Sequence, residues 1–168
     1  MTGRAIHAAG GIVVRNGARP RIAIVQRSKD KRWVLPRGKL KRNERAVDGA
    51  RREVVEETGF RVHVDEFVGA ITYRVSGRPK VVQFWSMQAT APTRGEVAKD
   101  IASIAWLSLA AAVERLSFPL EKVFLNNVGR HAIVQCKRGR RPKARAHAAK
   151  VTPRRRRSSR KSRDIKRK

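Results

Sequence analysis

The sequence predicts a mixed α/β domain of the α+β type over residues 1–136, followed by a basic C-terminal tail over residues 137–168. Short runs rich in β-branched and aromatic residues are mixed with segments of helical periodicity, without the regular βαβ alternation of a doubly wound sheet. The chain has 168 residues, which is enough for one ordinary domain with a buried core. Residues 137–168, in contrast, contain only two large apolar residues, Val151 and Ile165.

The first half of the domain contains the clearest signals for individual elements. Residues 10–15 and 21–25 are β-rich and flank an Asn16-Gly17 turn signal, so they predict a hairpin. Residues 44–58 contain no proline, and their apolar residues at 47, 50 and 54 predict a helix. Asn43 is the expected N-cap, and Gly59 is the expected glycine just beyond the helix C-terminus.

The second half contains further strands and then two helices. Residues 60–72 and 80–89 predict strands, and a Ser76-Gly77 turn separates them. Residues 103–107 predict another strand. Residues 109–116 and 120–128 predict helices, and we expect Gly129 to end the second one.

The charge is strongly unbalanced. The chain has 41 Lys and Arg residues against 13 Asp and Glu, a net charge of +28. Such a chain attracts polyanions, whether nucleic acid, polyphosphate, nucleotide or an acidic membrane surface. Residues 137–168 hold 17 of the basic residues and a single acid, Asp164. Because like charges repel and no core offsets the entropy of ordering them, we expect this tail to be disordered.

Several classes of protein are disfavoured by composition. Cys136 is the single cysteine, which excludes an intrachain disulfide framework and indicates a reducing compartment, so we expect a cytoplasmic protein. The longest uncharged stretches, residues 81–93 and 101–113, are shorter than the roughly 20 residues of a membrane-spanning helix. His7 and the Gly10-Gly11 pair interrupt the weakly apolar N-terminus, so we expect no signal peptide. The four histidines match no zinc-binding spacing.

The acidic residues are concentrated in one segment. Five of the 13 acids fall within residues 38–60. On a helix, Glu53, Glu56 and Glu57 project to one side because they are spaced i, i+3 and i+4. Three such carboxylates repel one another unless a cation lies among them, and oxygen ligands of this kind suit Mg²⁺ or Mn²⁺. The alternative is an exposed acidic helix face that pairs with Arg45, Arg51 and Arg52.

The spacing of this segment is more specific than its charge. The pattern G-x5-E-x7-R-E-U-x-E-E-x-G-U, with U a bulky apolar residue, is filled at each fixed position by Gly38, Glu44, Arg52, Glu53, Val54, Glu56, Glu57, Gly59 and Phe60. The segment therefore resembles the Nudix box. Residues 33–39, Trp-Val-Leu-Pro-Arg-Gly-Lys, look like the W-x-x-P-K-G-K lead-in of MutT-like and dinucleoside-polyphosphate-hydrolysing members, with arginine replacing lysine at 37. With the strand ending at Trp106-Leu107, the resemblance covers about residues 8–130.

The resemblance implies an α/β/α sandwich around a mixed sheet and a metal-dependent hydrolytic site. Glu53, Glu56 and Glu57 would bind divalent metal, with the Gly38 carbonyl as an additional ligand. Glu44 and Arg52 would brace the loop and helix, which makes Arg52 structural rather than catalytic, and Gly59 would complete the box.

The resemblance leaves the general base and the phosphate ligands open. Glu53 is our first choice to accept the proton of the attacking water. Glu96 and Asp100 are the alternatives, although their position favours surface acids of a loop. Arg37 and Lys39 lie beside the predicted metal loop, where they would either bind phosphate oxygens or remain solvated charges.

Together these features predict a Mg²⁺-dependent pyrophosphohydrolase, with Mn²⁺ as the alternative metal. The expected substrate is a dinucleoside polyphosphate or an (oxidised) nucleoside triphosphate. A diphosphoinositol polyphosphate is the alternative within the same reaction class, because basic residues surround the box. A nucleic-acid-binding protein on a Nudix scaffold is the alternative from a different class, and the complete set of box acids disfavours it.

Deleting the predicted tail, residues 137–168, should leave folding and small-substrate hydrolysis largely intact while removing most binding to RNA, DNA or other long polyanions. Counterion release makes such binding fall steeply with salt, so affinities of both proteins measured at several salt concentrations test this. Contacts with backbone phosphates predict little sequence preference. Equal binding by both proteins would show that the tail is not the binding element and only adds solubility.

Overall fold

The computed structural model describes residues 4–138. Seven strands are present: β1 (Ile6–Arg15), β2 (Arg21–Arg27), β3 (Trp33–Val34), β4 (Arg37–Lys39), β5 (Phe60–Val75), β6 (Arg78–Pro92) and β7 (Ile101–Leu107). Three helices accompany them: α1 (Ala46–Thr58), α2 (Leu109–Arg115) and α3 (Pro119–Arg138).

The strands form one mixed sheet in the order β3-β2-β1-β6-β5, with β4 paired to β1 and β7 paired to β2. β1 and β6 run parallel over Ile6–Val14, whereas the other pairs are antiparallel. β1 is therefore the centre of the sheet, and β4 and β6 lie on opposite sides of it.

Alternation along β1 separates two cores, one on each face of the sheet. Ala8, Ile12 and Val14 belong to the core beneath α2 and α3, whereas Ala9 and Val13 belong to the core beneath α1. All five side chains are fully buried. The result is the predicted α/β/α sandwich around a mixed sheet.

The strong local signals correspond to real elements. The predicted hairpin around Asn16-Gly17 joins β1 to β2, and the Ser76-Gly77 turn joins β5 to β6. Gly59 follows α1 with φ of 68°, a left-handed conformation that glycine adopts without steric cost, and its N–H donates to the Val55 carbonyl. The short strands β3 and β4 were not predicted, because two or three residues give no periodicity.

The predicted N-cap of α1 is wrong. The cap position is Arg45, and no side chain caps the helix. Asn43 instead has φ of 60°, in the left-handed region that asparagine tolerates. The resulting turn lets the Glu44 carboxylate accept the Lys41 N–H at 2.8 Å. Asn43 therefore shapes the loop before the helix.

The predicted end of the last helix is also wrong, because α3 continues through Gly129 to Arg138. Leu125, Gly129, Ala132 and Cys136 are buried at helical spacing against the sheet and α2. A Cβ at Gly129 would overlap the Leu109 side chain. Gly129 therefore permits close helix packing instead of ending the helix.

The end of α3 also bears on the predicted tail. Helix α3 runs two residues past the predicted domain boundary at 136, and the rest of the predicted tail, residues 139–168, lies outside the described residues. Within residues 4–138, no helix is long and apolar enough to cross a membrane.

A close backbone approach at Gly10 positions β4 against β1. Gly10 pairs with Arg37, and the Gly11 N–H donates to the Pro36 carbonyl at 3.1 Å. A Cβ at Gly10 would overlap the Pro36 carbonyl oxygen and lie 2.6 Å from the Arg37 Cβ. The space at Gly10 therefore sets how closely the β4 segment lies on the sheet.

Gly10→Ala should lower the free energy of unfolding by about 1–3 kcal/mol, because the added methyl group must displace backbone atoms. Gly17→Ala is the control, since its Cβ would meet no atom closer than 3.8 Å. Urea denaturation of both variants measures the difference. Equal stability of the two would show that β4 can move aside without cost.

Candidate active site

A pocket of about 680 Å³ opens where β4, the C-terminal half of α1, the start of β6 and the β2–β3 loop meet. This volume lies within the range of small-molecule sites. The pocket contains both acidic and basic side chains. Its lining residues are Arg27, Ser28, Lys29, Val34, Arg37, Gly38, Lys39, Glu53, Glu57, Lys80, Asp100 and Ile101.

Glu53 and Gly38 are in direct contact in this pocket. A Cβ at position 38 would overlap the Glu53 carboxylate, so glycine is what lets that carboxylate approach the β4 backbone. Gly38 pairs with Ala9, whose side chain faces the α1 core, which explains why Gly38 faces α1. Burial raises the pKa of the Glu53 carboxyl, and the charge of Arg52 opposes this shift.

Glu57 lies one helical turn after Glu53 and is more deeply buried, at 7% exposure. Its Oε2 accepts the backbone N–H of Arg37 at 2.9 Å. Burial raises the pKa of Glu57 to about 8, and the negative charge of Glu53 adds to this shift. No described cationic side chain forms an ion pair with Glu57. A buried carboxylate in this setting is stabilised by a bound cation.

Arg52 holds the acids of the segment together. Its Nε and Nη2 donate to the Glu44 carboxylate at 2.7 and 2.9 Å, and its Nη1 donates to Glu53 at 2.7 Å and to Glu56 at 3.2 Å. Its Nη2 also donates to the Lys39 carbonyl at 3.3 Å. Arg52 thereby connects the loop before α1, the helix and β4, which is a positioning role.

The predicted metal ligands differ in their surroundings. Glu53 and Glu57 line the pocket with Gly38, whereas Glu56 is 49% exposed at its side chain and contacts Arg52. Among residues 4–138, no three His, Cys, Asp or Glu side chains are arranged as a metal-binding group. Two of the three predicted carboxylates thus line the pocket, and Glu56 lies beside Glu53 through the Arg52 Nη1 that both accept from.

Arg37 has a partner that the sequence did not suggest. Its Nη2 donates to Glu121 on α3 at 2.5 Å, and Nη1 donates to the Leu35 carbonyl at 3.0 Å. Glu121, at 2% exposure, also accepts the Leu35 N–H. Glu121 engages the Arg37 guanidinium and so fixes the β3–β4 segment on α3, while the expected contact of Arg37 with phosphate stays a prediction. Lys39 is exposed and lines the pocket, and its contact with phosphate also stays a prediction.

The two alternative bases differ in position. Asp100 lines the pocket, and its carbonyl accepts the Ser28 N–H at 2.7 Å. Glu96 is exposed and does not line the pocket, which is the placement of a surface acid. Sequence reasoning missed the pocket residues Arg27, Ser28, Lys29 and Lys80, because they lie outside the box at residues 38–60. The basic character of Arg27, Lys29 and Lys80 was the one available signal.

Comparison with known proteins agrees with the geometry. A family model described as the NUDIX domain matches residues 5–127. The chain belongs to the Nudix family. The match spans β1 through the first half of α3, and so includes every described element of the pocket.

Curated Nudix relatives are similar over part of their length. The chain is 29% identical over 106 residues to an 8-oxo-(d)GTP phosphatase of Mycolicibacterium smegmatis, covering 62% of this chain and 32% of that protein. It is 31% identical over 107 residues to a MutT-like protein of Streptomyces ambofaciens, and the match covers 64% of this chain and 66% of that protein. The chain thus spans between a third and two thirds of the length of these relatives.

Solved Nudix structures share the fold. A C. elegans Ap4A hydrolase has a TM-score of 0.67 at 20% identity, over 77% of this chain and 98% of that one. A MutT protein from Methanosarcina mazei Go1 has a TM-score of 0.62 at 18% identity, over 76% of this chain and 94% of that one. At these identities the likeness supports the fold alone.

The Arg52–Glu44 pair predicts a specific acid sensitivity. The hydrogen bonds from Arg52 and from the Lys41 N–H lower the pKa of Glu44 from its usual 4.5 to about 2. Because the folded-state pKa is depressed, Glu44 stabilises the fold fully above pH 4.5 and loses this effect as pH falls towards 2.

Glu44→Gln should therefore flatten the fall in unfolding free energy between pH 4.5 and 2, as measured by urea denaturation across that range. Glu114→Gln, at an exposed position on α2, is the control and should retain the wild-type slope. A wild-type slope in Glu44→Gln would contradict the pairing.

Proposed function

We propose that this protein is a divalent-metal-dependent pyrophosphohydrolase that cleaves a phosphoanhydride bond of a nucleoside diphosphate linked to another group. The observation that carries the proposal is the placement of Glu53, Glu57 and Gly38 in one pocket with Lys39 and Lys80, two cations without an ion pair among the described residues. Carboxylates and cations that line one cavity suit a phosphate chain with its counter-cation.

The donor set supports a hard divalent cation. Glu57 is a buried carboxylate without a cationic partner among the described side chains, and the Glu53 carboxylate contacts Gly38. Glu53, Glu57 and the Gly38 carbonyl would hold the metal, and a rotated Glu56 would complete the set. Mg²⁺ is our choice and Mn²⁺ the alternative. When bound, such a metal neutralises phosphate charge and lowers the pKa of a coordinated water.

The chain's own residues would supply positioning and proton transfer. Arg52 orients Glu53 and Glu56, and Arg37 fixes the loop whose N–H binds Glu57. Glu53 is the carboxylate we propose as the proton acceptor, because burial raises its pKa toward the range of a general base. Asp100 is the alternative because it lines the same pocket.

The proposed substrates are a dinucleoside polyphosphate or an (oxidised) nucleoside triphosphate. The relative named as an 8-oxo-(d)GTP phosphatase supports the nucleoside triphosphate, and the lead-in at residues 33–39 supports the dinucleoside polyphosphate. A diphosphoinositol polyphosphate is the second candidate, because the pocket is lined by the basic residues Arg27, Lys29, Lys39 and Lys80. Incubation with a panel of these compounds, with and without Mg²⁺, followed by mass spectrometry of the products, distinguishes them and identifies the cleaved bond.

Glu53→Gln and Glu57→Gln should each lower kcat by about 10²-fold or more on the best substrate of that panel, because each loses a charged group at the reacting phosphate. Glutamine keeps the size and helix propensity of glutamate, so α1 should still form. Glu114→Gln should retain wild-type kcat. Unchanged turnover of Glu57→Gln in saturating Mg²⁺ would show that Glu57 is not a metal ligand.

A further inference from the structure

Cationic side chains outnumber their acidic partners on one wall of the pocket. Arg27 pairs with Asp30, and Arg37 pairs with Glu121. Lys39 and Lys80 form no ion pair with any residue of the described range 4–138. Lys29, in the loop after β2, forms none either, so the pocket contains three lysines without an acidic partner among the described residues, and two of them, Lys39 and Lys80, lie on strands.

Strand register places these two lysines on the same face of the sheet. Lys39 pairs with Ala8, and Lys80 pairs in parallel with Ile6, two residues earlier on β1. Residues two apart on a strand share a face, and paired residues do too. Ala8 belongs to the α3-side core, so both lysines project to the face opposite Glu53.

The distance between the two strands favours an extended ligand. β4 and β6 flank β1, so they lie about 10 Å apart in the sheet, at roughly 4.8 Å for each neighbouring pair. A single compact anion bound at the Glu53 and Glu57 carboxylates would be too small to contact both β4 and β6. A chain of phosphates can reach from Gly38 and Lys39 across the end of β1 to Lys80.

Lys80 is held in a half-buried position. Its Nζ lies 5.9 Å from the centre of the Tyr73 ring, and Tyr73 is the β5 residue that pairs with it. Burial lowers the pKa of the Lys80 ammonium, Tyr73 opposes this shift, and the charges of Arg37 and Lys39 add to it. A partly desolvated cation beside two others is unfavourable by itself and is stabilised by a bound anion.

We infer that Lys80, together with Lys39, binds a phosphate of the substrate remote from the one at Glu53 and Glu57, and so sets the preference for longer phosphate chains. The inference rests on the proposed function, which places the cleaved bond at the carboxylates. Lys80 acts here as a binding residue and takes no part in proton transfer.

The test is Lys80→Met, compared with Lys122→Met and Lys80→Arg. Lys122 is also half-buried, but it lies on α3 outside the pocket, where its Nζ donates to the Glu114 carbonyl. The substrates are dinucleoside tri-, tetra- and pentaphosphates. Lys80→Met should lower kcat/KM by about 10- to 100-fold for the longest, mainly through KM, and less for the shortest. Lys80→Arg should recover much of the loss, and Lys122→Met should match wild type.

Binding of inorganic tripolyphosphate, measured by calorimetry in Mg²⁺, is the second arm and requires no turnover. Weaker binding by Lys80→Met than by Lys122→Met supports the inference, and equal binding overturns it. Equal losses of kcat/KM at every chain length also overturn it. If wild type hydrolyses no substrate, the proposed function fails while the tripolyphosphate comparison still decides the role of Lys80. Should Lys80→Met unfold, Lys80→Gln replaces it under the same criteria.

Discussion

The site depends on the hydrogen bonds that the Arg52 guanidinium donates to neighbouring carboxylates. In a chain with three times as many basic as acidic residues, this guanidinium binds three of the few carboxylates, Glu44, Glu53 and Glu56. Glu44 belongs to the loop before α1, and Glu53 and Glu56 belong to the helix itself. Because Arg52 also donates to the Lys39 carbonyl, one side chain connects loop, helix and β4. The carboxylates keep their relative positions through this one residue.

A second constraint is that acidic and basic side chains reach the pocket from opposite faces of the sheet. β1 lies at the centre, and the Gly10–Pro36 approach holds β4 close against it. Gly38 then faces the acids of α1, whereas Arg37 faces Glu121 and Lys80 lies with Tyr73 on the other face. The end of the sheet thus presents carboxylates from one face and cations from the other. The metal-bound phosphate chain of the proposed function would match this arrangement because it carries both signs of charge.

The sequence predicted the features that are local or repeated in a fixed spacing. The box, the helix stripe at Val47, Ala50 and Val54, and the Gly59 terminus depend on neighbours within a few residues, and the fold agrees with them. The runs rich in β-branched and aromatic residues likewise located the long strands, although their ends shifted by a few residues.

The features that were missed depend on contacts between distant residues. Gly129 has the chemistry of a helix terminator, but its packing against Leu109 decides its role. Arg37 was expected beside the metal loop from its place in the lead-in, whereas its partner Glu121 is 84 residues away and could not be predicted from the sequence. Lys80 gave no signal beyond its charge, because its place in the pocket follows from the parallel pairing of β6 with β1.

The most direct measurement is a crystal structure of the protein with Mn²⁺ and a non-hydrolysable polyphosphate substrate analogue, using the anomalous signal of manganese. The account predicts an anomalous peak within about 2.0–2.3 Å of Glu53 and Glu57 oxygens, with a phosphate oxygen on the same ion. A peak elsewhere, such as in the groove lined by Asp48, Arg51 and Arg61 on the outer side of α1, with none at Glu57, would contradict it.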